Sequence, residues 1–105
     1  MDSRLIHENI NEHVDLFVKQ EIINIRSVSS RMGLAEAAFI AENFPGATYS
    51  FVTVNGDLSK RFLEDNMDQR VFKSLNNRHL DSFIRNVDEK MNRYFYEVLL
   101  RAEAA

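Results

Sequence analysis

The sequence contains no cysteine, one proline and only three glycines among 105 residues. Without cysteine there can be no disulfide scaffold, no thiolate zinc site and no cysteine nucleophile, and this absence is typical of proteins in a reducing compartment. The three glycines are too scattered for a phosphate-binding loop or for the Gly-x-Ser-x-Gly turn of a serine hydrolase. We therefore expect no self-contained enzyme active site, and we expect no cofactor.

The sequence also lacks long apolar runs and any marked excess of one charge. No stretch approaches the roughly 18 apolar residues of a membrane span. The first residues have no basic region followed by an apolar run, which a secretory signal would require. The net charge is −3, and acidic and basic residues are interspersed along the chain. These features predict a cytoplasmic protein with no membrane partner.

Apolar and aromatic residues, in contrast, are plentiful. Hydrophobic residues make up 45% of the chain, and eight phenylalanines and three tyrosines are among them. This is enough apolar surface for one packed core, and the length is that of one domain. The prediction is a mostly α-helical single domain over residues 1–105, with four helices, two of them long, and a short β element near residues 48–54.

Helical spacing of apolar residues places three of the four helices. The first runs from a cap at Ser3 to a stop signal at Gly33, and a short alanine-rich helix follows over residues 34–44, ending at Pro45. The last begins at Asn76 or Asn77 and continues to the end of the chain. Its apolar residues alternate in steps of four and three: Leu80, Ile84, Val87, Met91, Tyr94 or Phe95, and Val98.

The segment "TYSFVTV" has the β-branched and aromatic composition of a strand. Asn55-Gly56 after it favours a two-residue turn, which would close a hairpin onto residues 58–62. The alternative is a fourth helix capped by Asp57 and continuing through "SKRFLEDNMDQRVFKSL", and we favour it because that run exceeds any hairpin length. The strand then needs a partner from a remote segment, a second protomer or another protein.

Metal-binding and catalytic patterns are weak. His7 and His13 are six residues apart, which separates them by about 120° around a helix, and His79 is distant in sequence. The carboxylates of the first helix lack the Glu-x-x-His signature of di-metal bundles. Adjacent carboxylates elsewhere diverge around their helices. A solvated charged surface explains these residues, so no metal site is predicted.

One segment fits a helix-turn-helix arrangement in part. Its DNA-contacting residues would be Arg26, Ser29, Ser30 and Arg31, with Gly33 in the turn. The following helix, "LAEAAFIAEN", offers alanines and glutamates where a recognition helix needs Arg, Lys, Asn or Gln. DNA binding therefore stands as an alternative that the composition disfavours. An electrophoretic shift against random duplex at low salt separates it from the other interpretations.

The aromatic run "RYFYEVLLR" suggests an interface. Three consecutive aromatics on a helix point around most of its circumference, so at least one must face away from the core. The predicted contact residues are Tyr94, Tyr96 and Leu100 on the last helix and Tyr49, Phe51 and Thr53 on the strand.

These observations favour a small, non-enzymatic regulatory or adaptor protein that binds another protein. The two long helices would reach roughly 40 Å, beyond the roughly 33 Å diameter of a compact domain of this size. Either the bundle is elongated or another chain covers the projecting ends, and we expect a homodimer with the last helix in its interface. The alternatives are the helix-turn-helix DNA-binding regulator and a small enzyme or ligand-binding bundle completed by a partner subunit.

Overall fold

The computed structural model describes residues 3–44 and 56–104, with side chains from residue 60 onward in the second range. All regular secondary structure in these ranges is helical: α1 (Ser3–Arg31), α2 (Glu36–Asn43), α3 (Gly56–Asn66), α4 (Gln69–Lys73) and α5 (Asn77–Ala104). The prediction of a mostly α-helical chain with two long helices is confirmed. The count of four is not, because the described residues hold five. The β element predicted near residues 48–54 lies outside the described residues.

α1 ends where Gly33 was expected to stop it. Gly33 has a φ of +70°, the left-handed conformation that glycine adopts without strain. Its N–H donates to the carbonyl of Ser30, and the Leu34 N–H donates to the carbonyl of Ser29. This pair of bonds is a Schellman motif, and it satisfies two carbonyl groups at the end of the helix. The chain then turns, so that α2 begins at Glu36 rather than at residue 34 as predicted.

The helical alternative after residue 55 is confirmed, but the predicted cap at Asp57 is wrong, because α3 starts at Gly56 and already includes residue 57. A hairpin onto residues 58–62 is thereby excluded. The predicted single helix is nevertheless broken at Asp68, whose backbone is extended (φ −54°, ψ 134°) and whose side chain accepts a hydrogen bond from the Arg70 N–H. An aspartate at this position caps a new helix more readily than it continues the old one, and α4 follows.

The two long helices run parallel. His7 contacts His79 near the start of both helices, and Asp15 forms an ion pair with Lys90 further along both. Parallel neighbours need a connection that returns along the bundle, and α2 and α3 provide it, each packing against both α1 and α5. The result is an elongated bundle of 49 × 23 × 21 Å with a radius of gyration of 15.3 Å.

One hydrophobic core runs along the bundle between the long helices and the returning segment. Phe17 contacts Phe62 and Phe83 edge-on, with ring centroids 5.0 and 6.0 Å apart. Phe44, at the end of α2, stacks on Phe95 at 4.8 Å. The apolar residues predicted to face inward on α5 are buried except for Leu80, which is half-buried. The periodicity therefore located the core face of this helix correctly.

Candidate protein-binding surface

The aromatic run at the C-terminal end of α5 divides between the core and the surface. Tyr94 and Phe95 are buried, whereas Tyr96 is 62% exposed. Consecutive residues lie about 100° apart on a helix, so the core can receive two of the three rings and must leave one outside. Tyr94 is therefore unavailable to a partner in this fold, and its place among the predicted contact residues is corrected. Tyr49, Phe51 and Thr53 lie outside the described residues.

Leu100, one turn beyond Tyr96, is 50% exposed. The two side chains form an apolar pair on the outer face of α5. The preceding turn of that face is polar, and Arg93 is ion-paired there with Glu89 at 3.5 Å. The outer surface of α5 thus has one short apolar patch, which consists of Tyr96 and Leu100 and is confined to the end of the helix.

The outer face of α1 carries a second set of exposed apolar side chains. Leu5, Leu16 and Ile23 are 45%, 46% and 57% exposed, and helical geometry places them within about 20° of one another around the helix axis. Leu16 and Ile23 also line an open groove of about 260 Å³ with Lys19, Gln20 and Asn66. This face is not evident from the sequence, because the spacing of the buried residues Ile6, Ile10, Val14 and Phe17 is the stronger pattern in α1.

The residues of the DNA-binding alternative do not form an open basic surface. Arg26 donates to the Glu36 carboxylate at 3.1 Å, which ties α1 to the first turn of α2. Ser29 is buried, and its hydroxyl donates to the Arg26 carbonyl. Ser30 and Arg31 are exposed. Of the four side chains, therefore, only Arg31 presents an exposed positive charge without an ion pair among the described residues.

Histidines that are distant in sequence come together at one end of the bundle. The rings of His7 and His79 lie edge-to-face with centroids 5.9 Å apart. Within residues 3–44 and 56–104 no group of three or more His, Cys, Asp or Glu side chains is arranged to hold a metal ion.

A second open groove, of about 320 Å³, lies between α1 and α3 beside Phe17, Arg61 and Asp65. Both grooves are open to solvent along their length.

The fold and surface define a small helical bundle whose distinctive feature is exposed apolar side chains on its long helices. No family model, curated protein or solved structure matches the chain. None of the helices in the described ranges combines the length and apolar character required to cross a bilayer.

Proposed function

We propose that this protein is a small non-enzymatic regulatory or adaptor protein of the cytoplasm that acts by binding other proteins and is itself a homodimer. The observation that carries the proposal is the contrast between a filled core and exposed apolar side chains outside it. Phe83, Val87, Met91 and Phe95 have no exposed surface, whereas Tyr96, one residue further, is mostly exposed. Aromatic side chains of this kind are enriched at protein interfaces.

The binding surface for another protein is the pair Tyr96 and Leu100. Both project from a regular helix that is fixed at its base by the buried Tyr94, Phe95 and Val98. A rigid helix face presents its side chains without loss of backbone entropy on binding, which favours affinity. Tyr49, Phe51 and Thr53 belong to the proposal as a second contact segment, in which a strand over residues 48–54 would pair with a strand of the partner.

A capture experiment in the native host tests this surface. Tagged wild-type protein and the double variant Tyr96→Glu, Leu100→Glu are compared by affinity purification and mass spectrometry. We expect the wild type to retain one or more specific proteins and the double variant to lose them, because two carboxylates in an apolar contact remain desolvated and unpaired. Purified partner and protein should then form a complex directly.

Arg85→Glu is the matched control, since it places a carboxylate on an exposed position of the same helix, outside the Tyr96 and Leu100 pair. It should retain the same proteins as the wild type. Identical sets of captured proteins from all three chains would refute the assignment of this surface.

A further inference from the structure

The exposed face of α1 has the spacing of a coiled-coil seam. Residues taken from Leu5 toward the C-terminal end of α1, in alternating steps of four and three, form one continuous row on the outer face of the helix. Every side chain in this row is exposed except that of Asn9, which is half-buried. This row, called the α1 seam below, consists of Leu5, Asn9, Glu12, Leu16, Lys19, Ile23, Arg26 and Ser30.

The α1 seam faces away from the protein's own core. The buried residues of α1, such as Ile10 and Val14, lie on the opposite side of the helix, where α5 and the returning segment pack. Half-exposed leucine and isoleucine side chains in a regular row leave apolar surface in water, and covering that surface favours association. A second helix with the same spacing would cover them.

The charged residues of the seam decide whether two α1 helices would pair in parallel or antiparallel orientation. Glu12 and Lys19 are both exposed on the seam, and neither has an ion-pair partner among the described residues. A parallel pair of α1 helices would set Glu12 against Glu12 and Lys19 against Lys19, which is repulsive. An antiparallel pair brings Glu12 of each chain near Lys19 of the other.

The antiparallel register follows from the apolar positions. If Leu5 of one chain faces Ile23 of the second copy, then Asn9 faces Lys19 and Glu12 faces Leu16, in step over the part of the seam from Leu5 to Ile23. Glu12 then lies about 4.5 Å along the helix axis from the level of Lys19 of the second copy, within reach of both long side chains. One register thus covers Leu5, Leu16 and Ile23 and pairs the two free charges.

We infer that the α1 seam binds a second copy of this chain in an antiparallel, two-fold symmetric dimer. The inference rests on the homodimer of the proposed function and assigns its surface to α1 instead of the last helix. α5 is the poorer candidate because its outer face is apolar only at Tyr96 and Leu100. That patch is left free for the different partner.

Sedimentation equilibrium at micromolar concentration tests the inference. The wild type should have a mass near twice 12.2 kDa, and Leu16→Glu with Ile23→Glu should return it to a single chain. Both residues are exposed, so circular dichroism should show unchanged helicity. The matched control, Tyr96→Glu with Leu100→Glu, should remain dimeric. A monomeric wild type, or dissociation by the α5 variant alone, would overturn the inference.

Cross-linking tests the orientation, because the cysteine-free chain makes a single introduced thiol unambiguous. An oxidised equimolar mixture of Leu5→Cys and Ile23→Cys chains should form the mixed disulfide dimer. Ile23→Cys alone should not, since its two thiols would lie about 27 Å apart along the helices. Efficient self-linking of Ile23→Cys would indicate a parallel pair and refute the register.

Charge reversal tests the pairing of Glu12 with Lys19. Lys19→Glu alone should weaken the dimer about tenfold, and adding Glu12→Lys to the same chain should restore it. If the double variant is as weak as the single one, the two residues do not meet. The sedimentation mass and the cross-linking test the dimer at the α1 seam, whereas affinity capture tests binding of a different protein at Tyr96 and Leu100. If one of these two surfaces is refuted, the other can still be tested.

Discussion

A histidine takes the place of the usual glutamate in the capping box of α5. The Asn76 side-chain oxygen accepts from the His79 N–H at 3.0 Å, and the Asn76 N–H donates to His79 Nδ1 at 3.1 Å. In the common form of this motif a Glu or Gln side chain returns the second bond. Because Nδ1 accepts here, the ring proton of neutral His79 lies on Nε2. The sequence predicted a cap at Asn76 or Asn77, and the structure selects Asn76.

Asn76→Ala is expected to lower the free energy of unfolding by about 1 kcal/mol, since it removes the side-chain acceptor for the His79 N–H. Urea unfolding followed by circular dichroism measures it, with a lower midpoint and an unchanged slope. Asn77→Ala is the control, because the neighbouring side chain makes no capping bond to His79 and its loss should change stability by less than about 0.5 kcal/mol. Equal effects of the two substitutions would contradict the assigned cap.

The helices differ in how far their sequences determine them. α1 and α5 could be predicted to within a few residues because apolar spacing, caps and stop signals agree along them. The break at Asp68 is harder to predict, since "NMDQR" contains no Gly or Pro, and although aspartate is a common N-cap residue, only the backbone geometry shows that Asp68 caps α4. The outer seam of α1 is hard to predict for another reason: polar residues alternate with apolar ones along it, and the buried face of the helix has the stronger apolar spacing.

Gly33 offers a test of how strictly α1 is terminated. A Cβ atom at this position would meet no atom within 4 Å, so the cost of an alanine is the backbone conformation alone. Gly33→Ala should lose about 1–2 kcal/mol in urea unfolding, because a Cβ disfavours positive φ. Gly33→Asn should lose less, since asparagine tolerates this conformation better. If the Gly33→Ala variant is as stable as the wild type, the turn after α1 must adopt a different backbone geometry in the variant.

At the scale of the whole molecule, the bundle is elongated enough for both long helices to lie along its length. The sequence left two ways to cover two helices of about 40 Å, and the structure shows an elongated bundle, 49 Å long, in which they lie side by side. The parallel arrangement of α1 and α5 was not predictable, because it depends on the path of the connection and not on the spacing within either helix. This arrangement also leaves the α1 seam on the outside along most of the length of the molecule.

A dimer through the α1 seam makes thermal stability depend on concentration. Any interaction made by the folded chain and lost on unfolding stabilises it by mass action. At concentrations where the wild type is dimeric, a tenfold increase contributes about 1.4 kcal/mol per dimer. The entropy of unfolding of two such chains is roughly 0.4 kcal/mol per degree, so the melting temperature should rise by about 3 °C.

Calorimetry of the wild type at two concentrations measures this, and the chain with Leu16→Glu and Ile23→Glu should melt at one temperature in both. A wild-type melting temperature that does not change over a hundredfold range would mean that the folded chains do not associate, and the exposed apolar residues of α1 would then need a different partner.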